Sequence, residues 1–284
     1  MTEKLPVNLG AVQETLLIPL LGRAHETARP GGLIHDPKAV EIVERLDYDF
    51  SKWEKARSLA GATVRTRMFD TMVSHFLADH PSGTVVELGC GLNTRADRLD
   101  NGQATWFDLD LPDVIELRRS FFANEPRRTM LAASVLETDW MDTVAVTGGP
   151  WMFVSEAVLI YLDAAQVRQA MTQIAGRFAP MWLAFDTCGQ KMVDGQARHD
   201  AMKHMSQDSW FVWACDDPRE IEEWDTGLEL LESKSFLDAD QAIIDQMPRP
   251  YRLVARFAPF VMRRVTSQYR LNVAGSDNPS PATH

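Results

Sequence analysis

The stretch Val85-Val86-Glu87-Leu88-Gly89-Cys90-Gly91 decides the fold, because it joins an apolar, strand-like run directly to two glycines. The β-branched residues over 84–88 predict a short buried strand. Glycine lacks a Cβ atom and adopts positive φ, so Gly89 and Gly91 allow a sharp turn that a ligand can approach closely. A glycine pair after a strand is a weak motif by itself, and an ordinary turn explains it equally well.

Short apolar runs alternate with helical patterns from this point onward. The sequence predicts six more strands, at 104–109, 129–133, 151–155, 181–185, 228–233 and 269–273. It predicts helices at 8–23, 38–46, 57–77, 112–123, 164–179, 240–247 and 251–265. Strands that alternate with amphipathic helices favour βαβ units and a parallel sheet covered on both faces. The predicted fold class is therefore α/β.

Three regions fall outside this alternation. Residues 1–60 contain no strand of the sheet and predict a helical N-terminal extension to the main domain at 61–274. Residues 188–225 interrupt the main domain and are rich in Met and Trp, which suits either a lid over an apolar ligand or ordinary packing. Residues 275–284 are polar with two prolines and predict a disordered tail.

Composition excludes several classes of protein. With 29 Lys and Arg against 40 Asp and Glu, the net charge is −11, which argues against nucleic acid as a substrate. The apolar run at 16–21 is too short to span a bilayer, so no membrane association is predicted. Three widely separated cysteines form no C-x-x-C pair, so we expect no metal site and no disulfide framework. These features suggest a cytoplasmic protein.

An acid follows the second predicted strand, in Asp108-Leu109-Asp110-Leu111-Pro112. A carboxylate about 20 residues beyond the glycine turn can accept hydrogen bonds from both ribose hydroxyls, and Asp110 has that spacing. Alternatively, Asp110 caps the helix that begins after it, and both roles are compatible. The third glycine of the dinucleotide motif is absent, which argues against a nicotinamide cofactor with its pyrophosphate.

A second acid, Glu156, follows the apolar strand at 151–155. It would face the cleft from the same edge of the sheet, where a sulfonium or amino group would favour its ionised form. A helix cap or an ordinary surface acid is an equally good explanation for Glu156 alone. Tyr161, five residues later, is a candidate for the wall of an acceptor pocket or for the core.

Taken together, three segments resemble the leucine carboxyl methyltransferase family, particularly its bacterial branch of polyketide O-methyltransferases. These segments are residues 85–95, 108–115 and 155–162. The resemblance implies the class I methyltransferase fold, a Rossmann-like three-layer sandwich around a seven-stranded, mostly parallel sheet with an antiparallel last strand. It implies S-adenosyl-L-methionine as methyl donor and S-adenosyl-L-homocysteine as product.

The resemblance also implies roles for individual residues. An arginine before the glycine strand pairs with the cofactor carboxylate, and Arg65 matches better than Arg67. Gly89 and Gly91 would approach the methionine part, Asp110 would bind the ribose, and Glu156 would reach the amino group.

Two positions depart from the family pattern. The acid-leucine pair that contacts adenine falls on Ser134-Val135, so that contact lacks its carboxylate. The N-terminal lysine of the family falls in the stretch Arg23-Ala24-His25-Glu26, which contains no lysine.

The sequence leaves the methyl acceptor open. A carboxylate acceptor is already ionised at neutral pH, whereas a hydroxyl acceptor needs a base. His199 and His204 are five residues apart, which argues against a shared metal, and no residue stands out as a base. This favours a carboxylate on a small, polyketide-like molecule. A protein C-terminal carboxyl methyltransferase and a non-catalytic S-adenosylmethionine-binding protein are the alternatives, and the oligomeric state is open.

Overall fold

The computed structural model describes residues 4–257 and 268–276. Seven strands form one sheet: β1 (Thr84–Leu88), β2 (Thr105–Asp110), β3 (Arg128–Ala132), β4 (Trp151–Ser155), β5 (Met181–Cys188), β6 (Leu228–Lys234) and β7 (Tyr269–Ser276). Their order is β3-β2-β1-β4-β5-β7-β6. The pairs from β3 to β5 are parallel, and β7 is antiparallel to both neighbours. The α/β fold with an antiparallel last strand is confirmed.

The described helices lie on both sides of this sheet. They are α1 (Leu17–Ala28), α2 (Pro37–Arg45), α3 (Ser58–Asp79), α4 (Arg95–Leu99), α5 (Pro112–Arg118), α6 (Asp139–Ala145), α7 (Ala164–Phe178), α8 (Gln190–Gly195), α9 (Gln241–Gln246) and α10 (Arg249–Phe257). Two of their starts are set by side-chain caps. Asp36 accepts from the amide of Ala39 at the start of α2, and Asp163 and Gln166 form a capping box at the start of α7.

Alternating side chains of the strands form two separate cores. Val86 and Phe153 face the apolar side of α7, whereas Val85 and Val154 face α3. Two cores form because successive strand residues point to opposite faces of the sheet, and packing against the helices buries the side chains of both. The result is the predicted three-layer arrangement, which brings the carboxyl ends of the parallel strands to one edge.

The N-terminal helices pack against the sheet domain rather than standing apart. Helix α1 contacts both α2 and α3. Leu17 and Trp53 share a third core with Cys90 of the glycine turn and with Ile115 of α5. The segment 188–225 folds as α8 and a series of short 3₁₀ turns, and its Trp213 is buried beside the sheet. The division into an extension, a main domain and a cover remains a prediction.

Several boundaries differ from those that the sequence predicts. The helix predicted at 8–23 is a 3₁₀ turn at Gln13–Leu16 followed by α1, and α4 and α6 were not predicted. Strand β7 continues to Ser276, which is buried and pairs with both Met181 and Leu228, so the first two residues of the predicted tail belong to the sheet. The rest of that tail, 277–284, and the end of the helix predicted at 251–265 lie outside the described residues. Among the described residues, no helix combines the length and the apolar character needed to cross a membrane.

Candidate active site

A cavity of about 660 Å³ opens at the carboxyl ends of the parallel strands. All eight site residues predicted from the sequence line it: Arg65, Gly89, Gly91, Asp110, Ser134, Val135, Glu156 and Tyr161. They come from α3, from the last residue of β2 and from the segments that follow β1, β3 and β4. The sheet brings them together because parallel strands end at the same edge.

The glycine turn forms one wall of this cavity. Gly89 has φ +66° and Gly91 has φ +49°, the left-handed region that glycine adopts without strain. A Cβ atom at Gly89 would lie 2.3 Å from Cγ2 of Val158, and one at Gly91 would lie 3.2 Å from Cβ of Leu16. The left-handed backbone therefore favours glycine at both positions, and the close approach of Val158 is a second requirement at Gly89.

Asp110 is tied to the glycine turn by its carboxylate. Oδ2 accepts from the amide of Gly91 at 2.7 Å, and Oδ1 accepts from the amide of Leu111 at 2.8 Å. Each carboxylate oxygen retains one acceptor position, so the pair can still bind two donors such as the hydroxyls of a cis-diol. Burial raises the pKa of the Asp110 carboxyl to about 6 against the lowering effect of these amides. The alternative capping role is wrong, because Leu111 is the N-cap residue of α5 and that helix has no side-chain cap hydrogen bond.

Glu156 lies between two arginines. Oε1 accepts from Nε of Arg65 at 3.0 Å and from the hydroxyl of Thr66 at 2.7 Å, and Oε2 accepts from Nη2 of Arg95 at 2.6 Å. Burial opposes ionisation, but the two guanidinium groups outweigh it and lower the pKa of Glu156 to about 2. Glu156 is thus a permanent anion, and Oε2 retains one acceptor position for a further donor.

Arg65 connects Glu156 to the far side of the cavity. Its Nη1 donates to the hydroxyl of Tyr269 at 3.1 Å, and its Nε lies 3.8 Å from the carboxylate of Asp186. Arg67, the second candidate from the sequence, donates to the carbonyl of Leu33 and is not among the residues that line the cavity. The geometry therefore favours Arg65 over Arg67.

The two positions that depart from the family pattern are both part of the wall. Ser134 accepts from the amide of Leu136 through Oγ, so its side chain stabilises a local turn. At the N-terminal position, Arg23 is buried, donates to Asp36 at 2.9 Å and to the carbonyl of Leu92 at 2.7 Å, and also lines the cavity. Arg23 therefore places a cation near the glycine turn without a lysine.

Sequence reasoning missed a buried ion-pair network below the site. Arg95 donates to Glu87 of β1 at 2.6 Å and to Asp70 of α3 at 2.9 Å, in addition to Glu156. Arg118 donates to Asp108 and to the carbonyls of Gly91 and Asn93, and so holds the glycine turn from beneath. No spacing rule predicts these pairs, because the partners lie on different elements.

Asp186 was also missed. It lies on β5, one residue beyond the predicted end of that strand, and is fully buried. Its carboxylate accepts from the amide of Ala157 with both oxygens at 3.0 Å and from the hydroxyl of Tyr269. Burial raises the pKa of Asp186 to about 6. An acid at a strand end is the signal that pointed to Asp110 and Glu156, and it would have found Asp186 as well.

The rest of the cavity is largely apolar. Methionines and aromatic residues from four separate segments form this part of the wall: Tyr161, Met192, Met202, Phe211, Phe236, Met247 and Tyr251. The ring of Phe211 meets that of Tyr161 edge to face, with centroids 5.4 Å apart. The segment 188–225 therefore contributes to both the cavity wall and the core, since Phe211 lines the cavity while Trp213 packs in the core. Its role as a lid stays a prediction.

His199 lines this wall, whereas His204 does not. Nδ1 of His199 accepts from the amides of Ala201 and Met202 at 3.4 Å each, which assigns the proton of the neutral ring to Nε2. Burial lowers the pKa of His199, so the ring is neutral at pH 7. With its free lone pair directed at the backbone, His199 is a donor rather than a base.

Comparison with known proteins agrees with this geometry. The family model for leucine carboxyl methyltransferase matches residues 17–175, which span α1, the glycine turn, Asp110 and Glu156. The chain belongs to the leucine carboxyl methyltransferase family. Its members use S-adenosylmethionine, and this protein is an S-adenosylmethionine-dependent methyltransferase.

Two curated relatives cover most of the chain. The tetracenomycin polyketide synthesis O-methyltransferase TcmP of Streptomyces glaucescens is 32% identical over 235 residues, which are 82% of this chain and 86% of TcmP. The S-adenosyl-L-methionine-dependent methyltransferase dpfgK of Gibberella zeae is 28% identical over 81% of this chain and 84% of that protein.

Solved structures share the fold at low sequence identity. An O-methyltransferase family protein from Burkholderia thailandensis superposes with a TM-score of 0.50 at 16% identity, over 94% of this chain and 71% of that one. A DUF574 family protein from Streptomyces avermitilis gives a TM-score of 0.52 at 13% identity, over 90% and 97% of the two chains. These similarities establish the α/β fold alone.

Proposed function

We propose that this protein methylates an oxygen atom of a small, apolar, polyketide-like molecule. The observation that carries the proposal is that the predicted cofactor residues and the wall of methionine and aromatic side chains line one cavity. Its volume lies within the roughly 300–1,000 Å³ typical of small-molecule sites. The relative TcmP is an O-methyltransferase of tetracenomycin polyketide synthesis and matches 82% of this chain, which supports a polyketide-like acceptor.

The residues present suit the methyl donor at each of its polar groups. Asp110 would accept from the two ribose hydroxyls, because each of its oxygens has one free position. Glu156 would accept from the amino group through Oε2, and Arg65 would donate to the carboxylate. Gly89 and Gly91 would lie against the methionine part, with Ser134 and Val135 beside the adenine.

When bound, S-adenosylmethionine supplies an activated methyl group on a sulfonium. The protein then mainly has to hold the acceptor oxygen in line and exclude water. Tyr161, Met192, Met202 and Phe211 would do this with apolar surface that fits a flat ring system. Lids formed by the N-terminal helices and by 188–225 would close over that ring.

The experiment measures release of S-adenosylhomocysteine with a defined panel of acceptors. The panel contains 2-naphthol, 2-naphthoic acid, 6-hydroxy-2-naphthoic acid and a peptide with a free C-terminal leucine, and calorimetry measures cofactor binding in parallel. We expect turnover with the naphthyl compounds and none with the peptide. Turnover with the peptide alone would establish the protein carboxyl methyltransferase, and cofactor binding without any turnover would establish the non-catalytic alternative.

We also propose a reducing, cytoplasmic location. The support is that Cys90, Cys188 and Cys215 are all buried and unpaired, as is usual where thiols stay reduced. Trapping of free thiols after denaturation of the native protein tests this, and three reactive thiols are expected.

A further inference from the structure

One arginine of the cavity wall, Arg57, forms no ion pair with any residue that the structure describes. Three arginines of the described residues line the cavity: Arg23, Arg57 and Arg65. Arg23 is paired with Asp36, and Arg65 is paired with Glu156. Within residues 4–257 and 268–276, the guanidinium of Arg57 makes neither a hydrogen bond nor a stacking contact, and the residue is exposed. Its positive charge is therefore free to bind a group from outside the protein.

Arg57 lies in the apolar part of the cavity wall, away from the proposed cofactor end. Its carbonyl accepts from the hydroxyl of Tyr251 at 3.2 Å, and its amide donates to Oδ2 of Asp200 at 2.6 Å. Tyr251 lines the cavity, and Asp200 directly follows His199, another residue of the wall. Arg65 follows Arg57 by eight residues along α3, which separates their Cα atoms by roughly 12 Å. Arg57 therefore belongs to the acceptor end of the cavity.

The guanidinium of Arg57 lies near Tyr251 and is not paired with Asp200. Oδ2 of Asp200 accepts from the backbone amides of Arg57 and Ser58, so this acid stabilises the start of α3 instead. Burial raises the pKa of the Tyr251 hydroxyl, and the positive charge of Arg57 opposes that shift. The charge of Arg57 is therefore close to a side chain that lines the cavity, where an anion that enters the cavity can reach it.

His199 supplies a second donor at the same end of the cavity. Its Nδ1 accepts from backbone amides, which leaves the proton on Nε2, and Nε2 makes no hydrogen bond with the described residues. Nδ1 of His199 also lies 3.9 Å from Oδ1 of Asp200, whose Oδ2 binds the amide of Arg57, so one carboxylate lies beside both residues. A guanidinium and an imidazole N–H together suit the two oxygens of a carboxylate.

We propose that Arg57, with His199 beside it, binds a carboxylate at the far end of the acceptor and so selects acceptors that carry a second acidic group besides the methylated oxygen. This inference rests on the function proposed above and narrows its substrate class to an apolar ring system with an anionic group. The apolar wall suits the ring, and the unpaired cation suits the anion. Because the chain has a net charge of −11, a local cation also offsets the repulsion that an anionic acceptor meets.

Two ligands of nearly the same shape test the proposal. Naphthalene-2,6-dicarboxylic acid and 6-carbamoyl-2-naphthoic acid share the ring and one carboxylate, and they differ by one negative charge at the far end. Calorimetry at neutral pH measures their binding to protein saturated with S-adenosylhomocysteine. We expect the dicarboxylate to bind about tenfold more tightly, the lower limit for hydrogen bonds to charged groups, because Arg57 is exposed. The preference should shrink as the NaCl concentration rises, because salt screens exposed charges.

Arg57→Met should abolish this preference by weakening the binding of the dicarboxylate alone. In turnover, KM for the dicarboxylate should rise about tenfold, whereas kcat and the dissociation constant of S-adenosylhomocysteine should stay within about twofold. Arg57→Lys should keep part of the preference, and His199→Phe should reduce it by less than Arg57→Met does. Arg198→Met is the matched control, because Arg198 is an exposed arginine of the same segment as His199 but does not line the cavity. Its preference should equal that of the wild type.

Three results would overturn the inference. The first is equal binding of the two ligands by the wild type, and the second is a preference that survives in Arg57→Met. The third is an equal loss for both ligands in Arg57→Met, which would place Arg57 at the shared carboxylate instead of the far one. Turnover of 2-naphthoic acid without any preference for the dicarboxylate overturns the inference and leaves the proposed function intact. A binding preference without turnover of any acceptor overturns the proposed function and, with it, this assignment of the acceptor.

Discussion

The guanidinium of Arg95 donates to the carboxylate of Glu156 at 2.6 Å and joins the helix after the glycine turn to the segment after β4. Arg95 is fully buried and also pairs with Glu87 and Asp70. One buried cation, Arg95, is therefore shared by three acids at the proposed cofactor end of the cavity.

Replacing Arg95 should destabilise the whole protein. Arg95→Met leaves Glu87 and Glu156 buried with less compensation, which costs about 3–5 kcal/mol when a buried pair is broken on one side. The measurement is the free energy of unfolding from urea titration. Arg127→Met is the control, because Arg127 makes an equally short ion pair with Asp100 at the surface and should have little effect. Equal losses for the two variants would show that Arg95 does not support the site.

Asp110 should control cofactor affinity. Asp110→Ala removes a charged acceptor of two hydrogen bonds, and at about 1.5–3 kcal/mol for such an interaction we expect roughly 10–100-fold weaker binding of S-adenosylhomocysteine by calorimetry. Asp113→Ala, three residues later in the first turn of α5 and outside the cavity wall, should bind as the wild type does. If both variants bound S-adenosylhomocysteine with wild-type affinity, Asp110 would not be part of the cofactor site.

Cofactor binding should also depend on pH. Since burial raises the pKa of Asp110 to about 6 and only the ionised carboxylate accepts both ribose hydroxyls, affinity should be constant above that pH and fall below it. At one pH unit below the pKa, binding should be about tenfold weaker. The variant Asp110→Asn should lack this pH dependence. If the affinity of the wild type stayed constant down to pH 5, the prediction would be contradicted.

Replacing Gly89 by alanine should lower the free energy of unfolding more than the same replacement at Gly102, which also has a positive φ but has open space around it. Gly89→Ala meets Val158 and a left-handed φ, whereas Gly102→Ala has φ +80° and no atom within 4 Å of its Cβ. Left-handed strain costs each variant about 1–2 kcal/mol, and crowding should add about 1–3 kcal/mol at Gly89. Urea unfolding measures the difference, and Val158→Ala in the same chain should recover part of it.

The apolar wall should determine acceptor binding without affecting the cofactor. Phe211→Ala should raise KM for a naphthyl acceptor about tenfold, in line with partial loss of the roughly 1.5–3 kcal/mol that a buried aromatic side chain contributes. The dissociation constant for S-adenosylhomocysteine should stay within about twofold. Val212→Ala, at the exposed neighbouring position, is the control for KM. If Phe211→Ala bound S-adenosylhomocysteine more weakly than the wild type does, we would infer that the acceptor binds elsewhere.

To test the role of the segment 188–225, a substitution such as Phe211→Ala is preferable to deletion of the whole segment. The segment supplies Trp213, Cys215 and Ile221 to the core of the sheet domain. Its deletion would expose apolar surface under the sheet and unfold the protein.

The sequence by itself determined the fold and the edge of the sheet at which the predicted donor-binding residues meet. Strand alternation and glycine turns are local patterns, and parallel strands must end at one edge, so Gly89, Asp110 and Glu156 could be placed together without coordinates. The resemblance of the same segments to one family added Arg65, and the cavity contains it.

The tertiary structure alone decided which groups are charged and which are paired. Arg95, Asp186 and Tyr269 come from α4, β5 and β7, and their partners lie as far as 204 residues away along the chain, as for Arg65 and Tyr269. Ionisation depends on burial and on the distance to opposite charges, which have no period in sequence. The glycine turn could therefore be predicted from the sequence, whereas the contacts of Tyr269 with Arg65 and Asp186 became visible only when β7 was placed beside β5.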